Sequence, residues 1–231
     1  MGIEELKRLL DEVLASMPEL RELGDRCLSS RRWGGSAVLM VVDAAFTSIG
    51  MSYFRSVVPA VIRFKELFVD TGRVSSLLEL ASMESDELRT VWRNRRSWSV
   101  AREVARRLIS FDGEDDVRRL RTWALGSDLE NWRADPIGSI KGVGLVTYQY
   151  LRMMGGVDTV MPDKVVKRVI NSLLRQAGLN EVWDDLGFVR EVERLAVLTG
   201  HRPVELTWMT WLLTERRLMG EPSYSRLIHL I

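Results

Sequence analysis

Apolar residues recur at helical spacing along nearly the whole chain, as in Leu6, Leu9, Leu10, Val13 and Leu14 and again in Val100, Val104 and Leu108. No stretch alternates with period two for long. A chain patterned in this way buries its apolar side by packing helix on helix, so the expected fold class is all-α. Glycine- and proline-bearing breaks, among them Gly34-Gly35, Asp112-Gly113, Asp135-Pro136, Gly155-Gly156 and Gly220 to Pro222, divide it into roughly a dozen helices joined by short loops. With no long linker, any two lobes must pack tightly.

The 231 residues suffice for one domain or two small ones, and 46% hydrophobic against 28% charged suits a folded chain throughout. The longest apolar run, "SAVLMVVDAAFTSIG", contains Asp43 and falls short of the roughly 18 uninterrupted residues of a membrane span. The charged, amphipathic opening "MGIEELKRLL" is unlike a secretory signal, which makes a cytosolic location the default expectation. Cys27 is the only cysteine, so an intrachain disulfide or an iron-sulfur cluster is excluded, and with only His201 and His229 beside it a soft-metal site is poorly supplied.

Net charge is only +1, yet its distribution is uneven. Residues 1–25 hold seven acids against three bases, whereas Arg89 to Arg107 hold seven arginines against Glu103 alone. Three of the five lysines, Lys141, Lys164 and Lys167, fall within 27 residues of one another. Singly, such runs are solvated helix faces; together they leave room for a polyanion.

The stretch "SIKGVGLVTYQY" carries the chemistry. Pro136 can open a short helix, and Ile140 to Gly144 then turns the chain into a second helix ending near Met154. Glycine at 142 and 144 lets a partner approach the backbone, and the amides at the start of the second helix point outward at its positive end. A phosphate oxygen suits such a tip, and Lys141 adds a mobile charge; an ordinary helix-helix turn is the plainer alternative. Downstream, "TVMPDKVVKRVI" places Asp163 before a helix with apolar positions 165, 166, 169 and 170, where it can serve as an N-cap. A carboxylate so placed could also act on the sugar of a nucleotide gripped by the hairpin.

These segments resemble the helix-hairpin-helix DNA glycosylase superfamily. The hairpin Ile140-Lys141-Gly142-Val143-Gly144 is similar to its L-P-G-V-G type, and Pro162-Asp163 with Arg168-Val169 to its V-D-x-x-v-x-R-V element. The resemblance covers roughly residues 33–215 and is strongest over 136–170. It implies two helical lobes with a cleft between them: a six-helix domain, residues 33–155, ending in the helix-hairpin-helix at 136–154, and a second domain of residues 1–32 with 156–231. It further implies that the amides of Gly142, Gly144 and Val146, helped by Lys141 and Lys164, hold a phosphate of double-stranded DNA. The carbonyls of Gly138, Ile140 and Val143 would hold a monovalent cation, as in some relatives. Asp163 would be the catalytic carboxylate of a monomeric base-excision repair enzyme.

Two departures refine the expectation. Bifunctional relatives carry a Schiff-base lysine two residues after the second hairpin glycine, where this chain has Val146. Water is therefore the expected nucleophile, with Lys141 or Lys164 the alternative amines for strand cleavage. Lys141 and Pro162 also replace the family's proline and valine. For the flipped base, Asp43, Phe46, Tyr150 and Trp208 are candidate pocket residues, with core packing the competing role for Tyr150. Trp208 is expected at the cleft edge in preference to Trp211. Arg96, in "RNRRSW", is either the wedge that fills the gap in the duplex or a phosphate-binding arginine. Two other functions fit the same segments: a non-catalytic DNA clamp, and a protein-interaction scaffold in which the glycines only permit close packing.

Overall fold

Helix starts in this chain are set by short polar side chains. In a computed structural model describing residues 2–219 and 227–231, Ser36 accepts the Leu39 amide, Asn94 that of Ser97, Asp115 that of Arg118, Asp163 that of Val166 and Asp184 that of Gly187. Ser76 and Glu79 form a reciprocal capping box. Each cap is worth about 1 kcal/mol and, more usefully, fixes where the chain changes direction. Among the described residues there are twelve α-helices and no strand, as the periodicity requires. The expected break at Gly220 to Pro222 lies outside them.

The helices are α1 (Gly2–Ala15), α2 (Glu19–Leu28), α3 (Ala37–Thr47), α4 (Val58–Phe64), α5 (Leu77–Ser82), α6 (Ser85–Leu88), α7 (Arg95–Leu108), α8 (Asp116–Gly126), α9 (Leu145–Met154), α10 (Lys164–Gln176), α11 (Asp185–Thr199) and α12 (Pro203–Met219). Helix α3 is apolar on every side and buried from Ala37 to Phe46, because α4, α5, α7, α8 and α9 all pack against it. Elsewhere α12 packs on α2, α10 and α11, while α1 packs on α10 and α11. Helix α2 touches α9 as well as α12, and the buried residues form one contiguous core.

Between α3 and α4, Tyr53–Val57 winds as a π-turn in which the Val57 amide reaches back to the Ser52 carbonyl at 3.2 Å. Such turns displace side chains from the regular helical register and are frequent at functional sites. This one aims Tyr53 into the interior, where it is 6% exposed.

The hairpin differs from expectation in its first arm. Helix α9 begins at Leu145, as the glycines suggest, but residues 130–142 form successive hydrogen-bonded turns rather than a helix opened by Pro136. Asp135 explains the difference. Its Oδ1 accepts the amides of Ile137 and Gly138 at 2.7 and 3.3 Å, while its carboxylate also receives the Trp123 indole. Gly138 is pressed onto the Trp132 carbonyl, whose oxygen would lie 1.7 Å from any Cβ there. The chain is held too close to its own preceding turn to continue as a regular helix.

Candidate functional site

Gly142 forms the tip, at φ +106°, a conformation side chains rarely adopt. A Cβ there would also stand 2.9 Å from Val100 Cγ2 and 3.3 Å from Arg96 Nε, so α7 packs directly beneath the hairpin. The Val143 amide is used internally, bonded to the Ile140 carbonyl at 3.0 Å. Those of Gly142, Gly144, Leu145, Val146 and Thr147 have no acceptor among the described residues. Gly144, the N-cap of α9, is exposed and has no side chain to cap the helix. The result is a cluster of unsatisfied N–H groups at a helix's positive end.

Lys141 is exposed beside this tip. Arg93, Arg95 and Arg96 are exposed at the start of α7 and carry no carboxylate partner among the described residues, whereas Arg106 and Arg107 both pair with Glu103. Within the arginine run, then, Arg93, Arg95 and Arg96 keep their charge uncompensated, while Arg89 pairs with Asp86. Arg96 lies against Gly142 itself.

Asp163 lies at the other end of a short, pinned connection. Gln149, one turn beyond Val146 on α9, donates to Thr159 Oγ1 and the Val160 carbonyl at 2.5 and 3.1 Å. The Met161 amide in turn donates to Thr207 Oγ1 on α12 at 3.4 Å. Asp163 follows buried Pro162 and is itself only partly buried. Its Oδ1 accepts the Val166 amide and its Oδ2 the Trp211 indole N–H, both at 2.8 Å. Loss of water raises its pKa above the ordinary 3.8, opposed by the Val166 amide, the Trp211 indole, the Val165 amide and the positive charge of Lys167. Lys167 is engaged with Asp185 and the Trp183 carbonyl, and Lys164 is exposed.

Four expected pocket residues lie inside the core. Asp43, Phe46, Tyr150 and Trp208, the candidate pocket residues, are each 0% exposed and face the interior. Phe46 stacks on Trp92 with centroids 4.6 Å apart and meets Trp98 edge-on, filling the α3–α7 seam. Tyr150 takes the core role: its hydroxyl donates to Asp43 Oδ2 at 2.9 Å. Trp208 carries the Arg32 guanidinium 4.5 Å above its ring. Of the two tryptophans, Trp211 rather than Trp208 reaches the carboxylate.

Asp43 belongs to a buried charge cluster that sequence reasoning missed. Its Oδ2 accepts from the Trp33 indole at 2.7 Å, from Tyr53 and Tyr150 hydroxyls at 2.9 Å each, and from Arg32 Nη2 at 3.3 Å. Both tyrosine protons are thus spent on Asp43, and Arg32 Nη2 donates to each phenol oxygen, at 2.6 and 3.2 Å. Burial raises the Asp43 pKa, with Arg32 and the three neutral donors opposing. Trp33 reaches Asp43 by adopting left-handed backbone, φ 54°, directly before Gly34 and Gly35. In "SSRRWGG", Arg32 is indistinguishable from its solvated neighbours; only the interrupting Asp43 hinted that an interior partner must exist.

The cluster connects to Asp163 through aromatic rings. Tyr53 stacks on Trp211 with centroids 4.6 Å apart and planes 26° off parallel, and Trp208 meets Trp211 edge-on at 5.2 Å. Comparison with family models, with curated proteins and with solved structures returns no match.

Proposed function

We propose that this chain is a monofunctional DNA glycosylase of base-excision repair, hydrolysing the N-glycosidic bond of a damaged or mismatched base with water as nucleophile. The observation that carries this reading is Asp163: a carboxylate held by donors from two elements, still partly open to solvent, and joined by a pinned segment to a hairpin whose tip offers unpaired amides. A DNA phosphate bound by Gly142, Gly144 and Val146, with Lys141 and the arginines at the start of α7 beside it, fixes the strand. The ionised Asp163 stabilises positive charge as it grows on the deoxyribose and orients the attacking water, placing charge where the transition state develops it. In this reading residues 33–155 form one lobe and residues 1–32 with 156–231 the other, with the target nucleotide between them.

Val146 supports hydrolysis over lyase chemistry, since an aliphatic side chain cannot form a Schiff base. The hairpin carbonyls of Gly138, Ile140 and Val143 are the groups that would take a monovalent cation; that of Ile140 already accepts the Val143 amide and has one lone pair left.

The test is a panel of duplexes, each with one modified base, incubated with the protein and treated with alkali to reveal abasic sites. The wild type should cleave at least one, and Asp163→Asn should bind the same duplex equally well without releasing the base. Full release by that variant removes the assignment, and binding without release by the wild type on every duplex points to a clamp. Borohydride should give no covalent adduct; an adduct would reinstate Lys141 or Lys164 as nucleophile.

A further inference from the structure

An N-cap bond alone leaves a carboxylate half fixed. Oδ1 of Asp163 is tied to the Val166 amide of its own helix, but with that bond alone the carboxyl plane can tilt, or turn until the two oxygens exchange places on the amide. What stops it is a donor 48 residues away in sequence, the Trp211 indole on α12 at 2.8 Å. The indole is in turn clamped: Tyr53 stacks on one face and Trp208 abuts it edge-on. Tyr53 cannot drift, because its hydroxyl is locked between Asp43 and Arg32, both 0% exposed.

From this we infer that Trp211 is a positioning residue for the Asp163 carboxylate, and that the buried Arg32–Asp43–Tyr53 cluster exists to hold the indole in place. An interior ion pair is a poor device for stability, since an apolar replacement of equal volume often does as well. As an anchor for a stacked ring it has a use. The consequence for base release rests on the glycosylase reading; the geometry of the carboxylate does not.

The charged and titratable groups around Asp163 and its indole partner are Lys164 and Lys167 on α10, Asp185 at the start of α11 through its bond to Lys167, Glu215 one turn past Trp211 on α12, and Tyr53 and Tyr150 against the indole. Trp211→Phe leaves all of them unchanged, keeps an aromatic ring beside Tyr53 and removes the N–H along with the pyrrole part of the indole. In protein labelled at aspartate carboxyl carbons, with Asp163→Asn supplying the assignment, NMR titration should show the Asp163 midpoint move up by about one unit in Trp211→Phe. On any duplex the wild type processes, single-turnover base release should fall at least tenfold with duplex affinity unchanged.

A merely structural tryptophan would lower the melting temperature and leave the midpoint where it was; that result overturns the inference, as does an equal loss of affinity and release. A second measurement needs no substitution at 211. In 15N-tryptophan-labelled wild type, the Trp211 indole resonance should titrate with the Asp163 midpoint, and in Asp163→Asn it should not titrate. An indole blind to that midpoint sinks the proposal even where Trp211→Phe fails to fold. Base release surviving in Asp163→Asn would instead remove the glycosylase reading and leave the titration result standing on its own.

Discussion

Replacing Asp43 with asparagine is the sharpest perturbation of the interior. The substitution conserves shape and removes one negative charge opposite Arg32, whose guanidinium has no other carboxylate partner among the described residues. Both side chains are wholly buried, so water cannot take over the lost interaction. The Trp33, Tyr53, Tyr150 and Arg32 donors all converge on Oδ2, and an uncharged amide oxygen accepts from them more weakly than a carboxylate oxygen does. Breaking a buried pair by neutralising one member costs about 3 to 5 kcal/mol. For a chain of this length each kcal/mol moves the melting temperature by about 2 to 4 °C, which gives a fall of about 6 to 20 °C. Far-UV circular dichroism during heating and urea titration measures it. Coupling to Arg32 is checked with Arg32→Met: the double variant should be more stable than Asp43→Asn alone, because the stranded cation is gone. A loss below about 1 kcal/mol, or strictly additive losses, would refute the reasoning that the pair is a coupled interior charge.

Further outcomes follow from the hairpin and its surroundings. Substituting Arg93, Arg95 and Arg96 together by alanine should lower the slope of log affinity against log salt for duplex DNA by about 2 to 3, as expected for three lost phosphate contacts; an unchanged slope would take α7 out of the interface. Gly138→Ala must push the Trp132 carbonyl aside and should destabilise by about 1 to 3 kcal/mol, read as a lower urea midpoint, with wild-type stability counting against the turn geometry. On the glycosylase reading base release needs the ionised form of Asp163, whose pKa is raised by burial, so kcat/KM should drop as pH falls through a midpoint above the ordinary 3.8. An acid limb below that value would mean that another group carries the profile.

How much of this was legible beforehand depends on how local each feature is. Asp163 as an N-cap follows from Pro162 before it and apolar positions after it, a pattern complete within nine residues. The start of α9 follows from Gly142 and Gly144 in the same way. The turn structure before them did not, since Pro136 is compatible with a helix start and the contact that forbids one, Gly138 against the Trp132 carbonyl, depends on how the chain doubles back. The resemblance made Tyr150, Phe46 and Trp208 candidate pocket residues, but helical spacing cannot say whether such a residue meets a cleft or a neighbouring helix. The partnership of Trp211 with Asp163 was invisible because nothing in either segment encodes the other's position; it is a product of α10 packing on α12. Arg32 was hidden for a related reason, since one guanidinium among many is distinguished only by where the left-handed turn at Trp33 to Gly35 puts it.

Asp135 organises the back of the hairpin with three donors: the Trp123 indole N–H, shared between its two oxygens, and the amides of Ile137 and Gly138. The tip therefore holds its shape before any ligand arrives, and a strand that settles on it meets a ready mould. Little disorder has to be given up at that contact, so on the glycosylase reading the protein can sample successive phosphates along a duplex quickly, and discrimination falls to the slower extraction of the base.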